Sequence, residues 1–203
     1  MEKGEERATA ATEFVDEKLL QKLPPRYQDA AKQAVMLFKF FENKKDINYA
    51  PVFTALLGSL DEASRGLITR RLLAHVPQAL QDQKAWFDPY LENFDRRMLK
   101  HYQDMAQNLK RTLVFKNGLS PVGLLRSCLD YALNERENLS GVFKAIRDEF
   151  KVAGARDILA RVSAINDFRN TYIAHHEKEL TDKNLAELEL KKWIEGLSVI
   201  HGF

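Results

Sequence analysis

Apolar residues recur at the spacing of an α-helix along this chain, and no run of four or more residues alternates in the manner of a β-strand. The clearest case lies near the end, where Leu190, Trp193, Ile194 and Leu197 fall at positions i, i+3, i+4 and i+7 of one helix face. A chain of 203 residues, 45% of them hydrophobic, is long enough to bury a substantial core without disulfides or metals. The pattern predicts an all-α protein built as a multi-helix bundle.

Proline, glycine and small polar residues mark the ends of the predicted helices. Proline at the first helical position loses no hydrogen bond, a preceding Asp or Ser caps free N–H groups, and glycine past the last turn adopts the left-handed conformation. In chain order the signals are Pro24-Pro25, Asp88-Pro89, Asn117-Gly118, Ser120-Pro121, Gly154 and Thr181-Asp182. A further signal, the capping box Ser59-Leu-Asp-Glu62, predicts a helix start within the apolar stretch 52–75.

The strongest of these signals also suggests a division of the chain. Asp88-Pro89 opens a long helix, so we take residues 1–87 as an N-terminal helical region packed on the rest and residues 88–203 as a C-terminal helical bundle.

Charge and composition exclude several classes of protein. Lys plus Arg total 31 against 29 Asp plus Glu, which gives a net charge of +2. A charge this small does not attract the chain as a whole to nucleic acid or to a membrane, so any anion binding must be local. The single cysteine, Cys128, cannot form an intramolecular disulfide or a cysteine-rich zinc site, and we expect it to be a buried apolar residue. The chain has no Gly-rich phosphate loop, no G-x-S-x-G and no H-E-x-x-H motif. With no signal peptide and no stretch of roughly 18 apolar residues, it is expected to be cytoplasmic.

One stretch, INDFRNTYIAHH at residues 165–176, places polar groups where a helix should be apolar. At 100° per residue from Leu159, an apolar face centred at about 270° contains Val162, Ile165, Tyr172 and Ile173. On the same scale Arg169 falls at about 280° and His176 at about 260°. His175 falls at about 160°, away from the apolar face, unless a 3₁₀ turn or a break near Ala174 brings it onto that face. Both histidines are therefore candidates for one role.

Burying a guanidinium without a partner costs several kcal/mol, so an inward-facing Arg169 needs an explanation. One interpretation is a structural ion pair with Asp130, Glu135 or Asp167 that fixes the helix register. The other is a cationic cleft that receives an anion, with an imidazole beside it.

The run Arg169-Asn170-Thr-Tyr-Ile-Ala-His175 resembles the signature of HEPN domains, in which an arginine is followed by four to six residues and a histidine, often with asparagine straight after the arginine. The run lies on the penultimate predicted helix, as in that family's four-helix bundle. The resemblance covers residues 88–203.

The resemblance implies a metal-independent endoribonuclease that cleaves single-stranded RNA through attack by the 2′-hydroxyl, with toxin–antitoxin or phage-defence character. His175 or His176 would move a proton, Arg169 would stabilise the charge on the phosphorane, and Asn170 would orient its neighbours. No metal or cofactor is implied. Two copies would meet in a homodimer with a composite site, and an antitoxin or a helicase or nucleotidyltransferase-type protein would be a further partner.

A rival interpretation keeps the fold without the activity. In it the chain is a non-catalytic binding or oligomerisation module, part of a larger defence or nucleic-acid-processing enzyme, with Arg169 as an internal salt-bridge anchor. The two interpretations differ in whether Arg169 and a histidine converge on one phosphate.

Overall fold

The computed structural model describes residues 17–76, 96–134, 141–174 and 178–203, and within them the protein is all-α, with no strand. The helices are α1 (Glu17–Gln21), α2 (Pro25–Phe41), α3 (Thr54–Leu72), α4 (Arg96–Leu113), α5 (Pro121–Asn134), α6 (Val142–Phe150), α7 (Ala155–Arg169) and α8 (Lys183–Gly202). Short 3₁₀ turns flank α3 at Ala50–Phe53 and Leu73–His75. The predicted fold class is confirmed.

The chain packs as two compact units, one made of Met1–Ala63 with Ala164–Phe203 and the other of Ser64–Ser163. The first unit thus joins the two ends of the sequence, and helices α3 and α7 contribute residues to both units. The boundary expected at Asp88-Pro89 lies outside the described residues, so the division into 1–87 and 88–203 stays a prediction.

In the first unit, α2 and α8 run antiparallel. Lys183 Nζ at the start of α8 lies 3.2 Å from Glu42 Oε1 just past the end of α2, while the rings of Tyr27 and His201 meet at the opposite ends, 5.7 Å apart. The face of α8 predicted from its spacing, carrying Leu190 and Trp193, is fully buried, as expected. Asp182 caps the helix, because its Oδ1 accepts from the backbone N–H groups of Asn184 at 2.8 Å and Leu185 at 3.1 Å.

Helices α7 and α8 approach closely at Gly196. A Cβ atom placed on Gly196 would lie 2.5 Å from Cδ1 of Ile165, a separation that real Cβ atoms do not adopt. A glycine at this position therefore lets Ile165 fill the space against α8.

The capping box expected at Ser59–Glu62 is wrong. Ser59 lies buried in the middle of α3, which begins at Thr54, directly after the 3₁₀ turn. Glu62 instead forms an ion pair with Arg26 at the start of α2. The buried apolar residues Leu56, Leu60 and Leu67 continue the helical face through the motif, so tertiary burial determines where the helix starts.

In the second unit, α5 packs against α4 and α6 around three aromatic rings. Tyr102, Tyr131 and Phe143 come from the three helices in turn, with ring centroids 5.3 to 6.0 Å apart. Cys128 lies on α5 with no exposed surface, and burial raises the pKa of its thiol. The expected buried apolar role of Cys128 is confirmed.

Several helix-end signals in the sequence are confirmed and one is displaced. Pro25 and Pro121 are the first residues of α2 and α5, and Gly154 has a left-handed φ of 80° before α7. Helix α4 ends at Leu113, several residues before the Asn117-Gly118 signal, since Lys116 has a φ of 55° and the Asn117 N–H turns back to the Arg111 carbonyl at 3.0 Å.

Candidate functional site around Arg169

Helix α7 ends as an α-helix at Arg169 and continues as a wider π turn over Asn170–Ala174. The hydroxyl of Thr171 donates to the Asp167 carbonyl at 3.0 Å, an i to i−4 side-chain bond that competes with the regular backbone ladder. A tighter 3₁₀ turn or a break near Ala174 was the condition under which His175 would reach the apolar face. The helix instead widens, and it does so four residues earlier, directly after Arg169.

The inward face of α7 follows the prediction up to Arg169 and departs from it beyond. Val162 and Ile165 are buried, and Arg169 is half-buried beside them. Tyr172 and Ile173 are only half-buried. A π turn advances each residue by roughly 80° rather than 100°, so these two side chains fall behind the straight-helix angles.

The side chains of Arg169 and Asn170 are joined. Nη1 of Arg169 donates to Oδ1 of Asn170 at 3.3 Å, just beyond the usual range for N–H···O bonds, and Nε of Arg169 is buried. The structural ion pair considered for Arg169 stays a prediction, since one of its three candidate carboxylates, Glu135, lies outside the described residues.

An aromatic cluster holds the end of α7 in place. The ring of Phe168 lies 5.0 Å from Phe53, 5.9 Å from Trp193 and 4.9 Å from Tyr172, measured between centroids. Phe53 comes from the 3₁₀ turn before α3, and its ring meets Trp193 of α8 at 5.0 Å. The buried Nε1 of Trp193 has no hydrogen-bond acceptor within the described part of the chain. Arg169 therefore follows a residue fixed by three rings.

The two candidate histidines, His175 and His176, lie outside the described residues. The chain on either side of them is tied together, because the backbone N–H of Lys178 donates to the carbonyl of Thr171 at 3.2 Å. The arrangement thus brings together Arg169 and Asn170 of the predicted site, and leaves its histidine as a prediction.

Sequence reasoning missed the supporting elements of this site. Neither the π turn nor the contact of Phe53 with Phe168 has a periodic signal, since the two rings are far apart in sequence. The Thr171 hydroxyl two residues after Arg169 was the local hint, because threonine in a helix can bond the carbonyl four residues back.

Among the described residues, no three His, Cys, Asp or Glu side chains are grouped as metal ligands would be. In the same part of the chain, no helix has the length and apolarity needed to cross a bilayer.

No protein-family model, curated protein or solved structure matches the chain. The HEPN resemblance is thus carried by the residues of the Arg169 motif and by the all-α fold.

Proposed function

We propose that the protein is a metal-independent endoribonuclease of the HEPN type, which cleaves single-stranded RNA by attack of the 2′-hydroxyl, in a toxin or phage-defence setting. The observation that supports this most is the bond from Arg169 to Asn170 at the point where α7 widens into a π turn. Such local π turns occur often at functional sites. Here the turn follows directly after the cation that the motif requires.

Arg169 is suited to stabilise the transition state. Its planar guanidinium has five donors and a permanent charge, and it binds phosphate oxygens bidentately. Asn170 Oδ1 accepts a long bond from Nη1, which favours one orientation of the guanidinium plane. Stabilising charge on the phosphorane is the largest contribution that the protein can make to such a reaction.

The proton transfer is assigned to His175 or His176. The 2′-hydroxyl attacks phosphorus, the bond from phosphorus to the 5′-oxygen breaks, and the proton passes from the 2′-oxygen to the departing 5′-oxygen. An imidazole titrates near neutral pH, and a positioned acid–base contributes about 10²–10⁴-fold. In the proposed homodimer, two such motifs face one another and share the RNA.

A second candidate is a non-catalytic binding or oligomerisation module. The observation that favours it is the half-burial of Arg169 with its Nε enclosed, which suits an arginine that anchors the end of α7 to its surroundings. In that case Arg169 contributes to stability and not to chemistry.

The two candidates are separated by incubating single-stranded RNA with the protein in EDTA. The parent protein should cleave, and Arg169→Ala should lose at least about 100-fold in rate while remaining helical by circular dichroism. His175→Ala and His176→Ala identify the imidazole, since one of them should be as damaging as Arg169→Ala.

Arg161→Ala is the matched control. Arg161 lies two turns earlier on α7, where its Nε bonds the exposed Asp157 at 3.1 Å, and its loss should leave cleavage unchanged. If the parent protein at high concentration leaves the RNA intact, the enzyme proposal is contradicted and the non-catalytic module is favoured.

A further inference from the structure

The C-terminal half of α2 exposes two large apolar side chains that nothing in the described chain covers. Met36 is 58% exposed and Phe40 is 61% exposed, and their spacing of four residues places them side by side on the solvent face of the helix. Both belong to the first unit, which also carries Arg169.

One cation lies over the ring of Phe40, and a second follows it in sequence. The ammonium of Lys44 lies 3.5 Å from the ring centroid, and Lys45 beside it is exposed. The ring of Phe41 lies 5.7 Å away at 50°, so Phe40 is supported from within the protein. The acidic Glu42 close by is already paired with Lys183. The surface made by Met36, Phe40, Lys44 and Lys45, here called the Phe40 platform, therefore combines an exposed ring with two exposed lysines, which are followed by the exposed Asp46.

We propose that the Phe40 platform binds single-stranded RNA, with a base stacked on Phe40 and with Lys44 and Lys45 against the flanking phosphates. The inference rests on the proposed function in that it concerns the same substrate class.

The composition of the surface favours RNA over a protein partner. Lysine is depleted at the centres of protein interfaces, because its hydrated ammonium is costly to bury, whereas here a lysine sits over the exposed ring. Stacking of bases on aromatic rings beside basic groups is the usual way in which single strands are held without sequence preference. The flexible four-carbon stem of Lys44 lets its ammonium move from the ring face to a phosphate as the base takes its place.

The test is fluorescence anisotropy with a labelled single-stranded RNA of about 12 nucleotides, which is within the range of site sizes of proteins that bind single strands. All proteins carry Arg169→Ala, so that the RNA stays intact. Phe40→Ala and Phe40→Leu should each weaken binding by roughly 5- to 150-fold, the value of one stacked base, whereas Phe40→Tyr should stay within about threefold of the Arg169→Ala parent. The Leu and Tyr variants separate loss of a π face from loss of apolar area.

The contribution of Lys44 and Lys45 to RNA binding is tested by the dependence of affinity on salt concentration. The double variant Lys44→Gln with Lys45→Gln should make the slope of log K against log salt shallower by about 1.4, since each phosphate contact to a single strand contributes roughly 0.7. Phe115→Ala is the matched control, because Phe115 is 52% exposed in the other unit and its loss should leave RNA affinity unchanged.

Three results would overturn the Phe40 platform as an RNA site. The first is an unchanged RNA affinity in Phe40→Ala, and the second is an equal loss of RNA affinity in Phe115→Ala. The third is RNA affinity retained by Phe40→Leu together with self-association that Phe40→Ala abolishes, which would indicate that a second copy of the chain occupies the platform. Cleavage by the protein with native Arg169 is scored separately. If the protein binds RNA through Phe40 but never cleaves it, the platform is supported and the nuclease proposal is contradicted. If it cleaves RNA and Phe40 has no effect on binding, the nuclease proposal is supported and the platform is contradicted.

Discussion

At the scale of single residues, Arg169 shows what periodicity can and cannot predict. Its angle on α7 placed it beside Val162 and Ile165, and it is half-buried there. An orienting role for Asn170 was already implied by the HEPN resemblance, whereas the π turn that begins at Asn170 has no signal in the helical periodicity. The local pattern thus predicted the direction of the Arg169 side chain but not the backbone geometry that follows it.

Gly196 gives a direct stability prediction at this scale. Gly196→Ala places a Cβ against Cδ1 of Ile165 and should lower the free energy of unfolding by about 1–3 kcal/mol, as overpacked cores do. Adding Ile165→Val removes that Cδ1, so the double variant should lose less than the sum of the two single changes. Chemical denaturation measures each free energy.

Gly58→Ala is the control for Gly196. A Cβ at Gly58, within α3, meets nothing within 4 Å, so alanine there should stabilise the helix by about 0.5–1 kcal/mol. Equal effects at the two glycines would show that helix propensity, and not the contact with Ile165, explains both.

Cys128 gives a prediction about pH. Its pKa is raised in the fold, so the folded protein holds the thiol proton more tightly than the unfolded chain. The stabilisation that this thiol contributes to the fold has its full value below the ordinary thiol pKa of 9.0. It declines as pH rises above that value, because the thiol then ionises in the unfolded chain and not in the folded protein.

Thiol chemistry provides the measurement for Cys128. The native protein at pH 8 should not react with a disulfide reagent over the time in which the denatured protein releases one equivalent. Rapid reaction of the native protein would contradict the burial of Cys128.

At the scale of helices, the sequence predicted ends that depend on local chemistry and failed where packing decides. Pro25, Pro121 and Asp182 act within a turn of the helix they begin, and all three lie where expected. Ser59 and Glu62 have the same kind of local signal, yet α3 runs through them, because its buried face is continuous and Glu62 pairs with Arg26 of α2. A local motif competes with every long-range contact that the same residues can make.

At the scale of helices, we predict the effect of removing the N-cap of α8 on stability. Asp182→Ala removes the acceptor for two backbone N–H groups and should cost about 0.5–2 kcal/mol of unfolding free energy, whereas Asp182→Asn, which keeps an oxygen there, should cost less. Thermal denaturation of both variants checks this, and an alanine variant as stable as the parent would exclude a structural role for the cap.

At the scale of the whole molecule, the all-α class followed from periodicity alone, while the arrangement of the units did not. The first unit joins residues from both ends of the chain, and no local pattern indicates such a pairing. The ion pair of Glu42 with Lys183 is one of the contacts that closes it, across 141 positions of sequence. The proposed nuclease site and the Phe40 platform both belong to this unit.

The most direct measurement of the central claim is mass spectrometry of the RNA fragments formed in EDTA, with a ribose oligonucleotide compared with its 2′-O-methyl counterpart. The account predicts fragments that end in a 2′,3′-cyclic phosphate and begin with a 5′-hydroxyl, formed from the ribose oligonucleotide alone and lost in Arg169→Ala. Fragments with a 5′-phosphate, cleavage of the 2′-O-methyl strand, or no cleavage of either would contradict it.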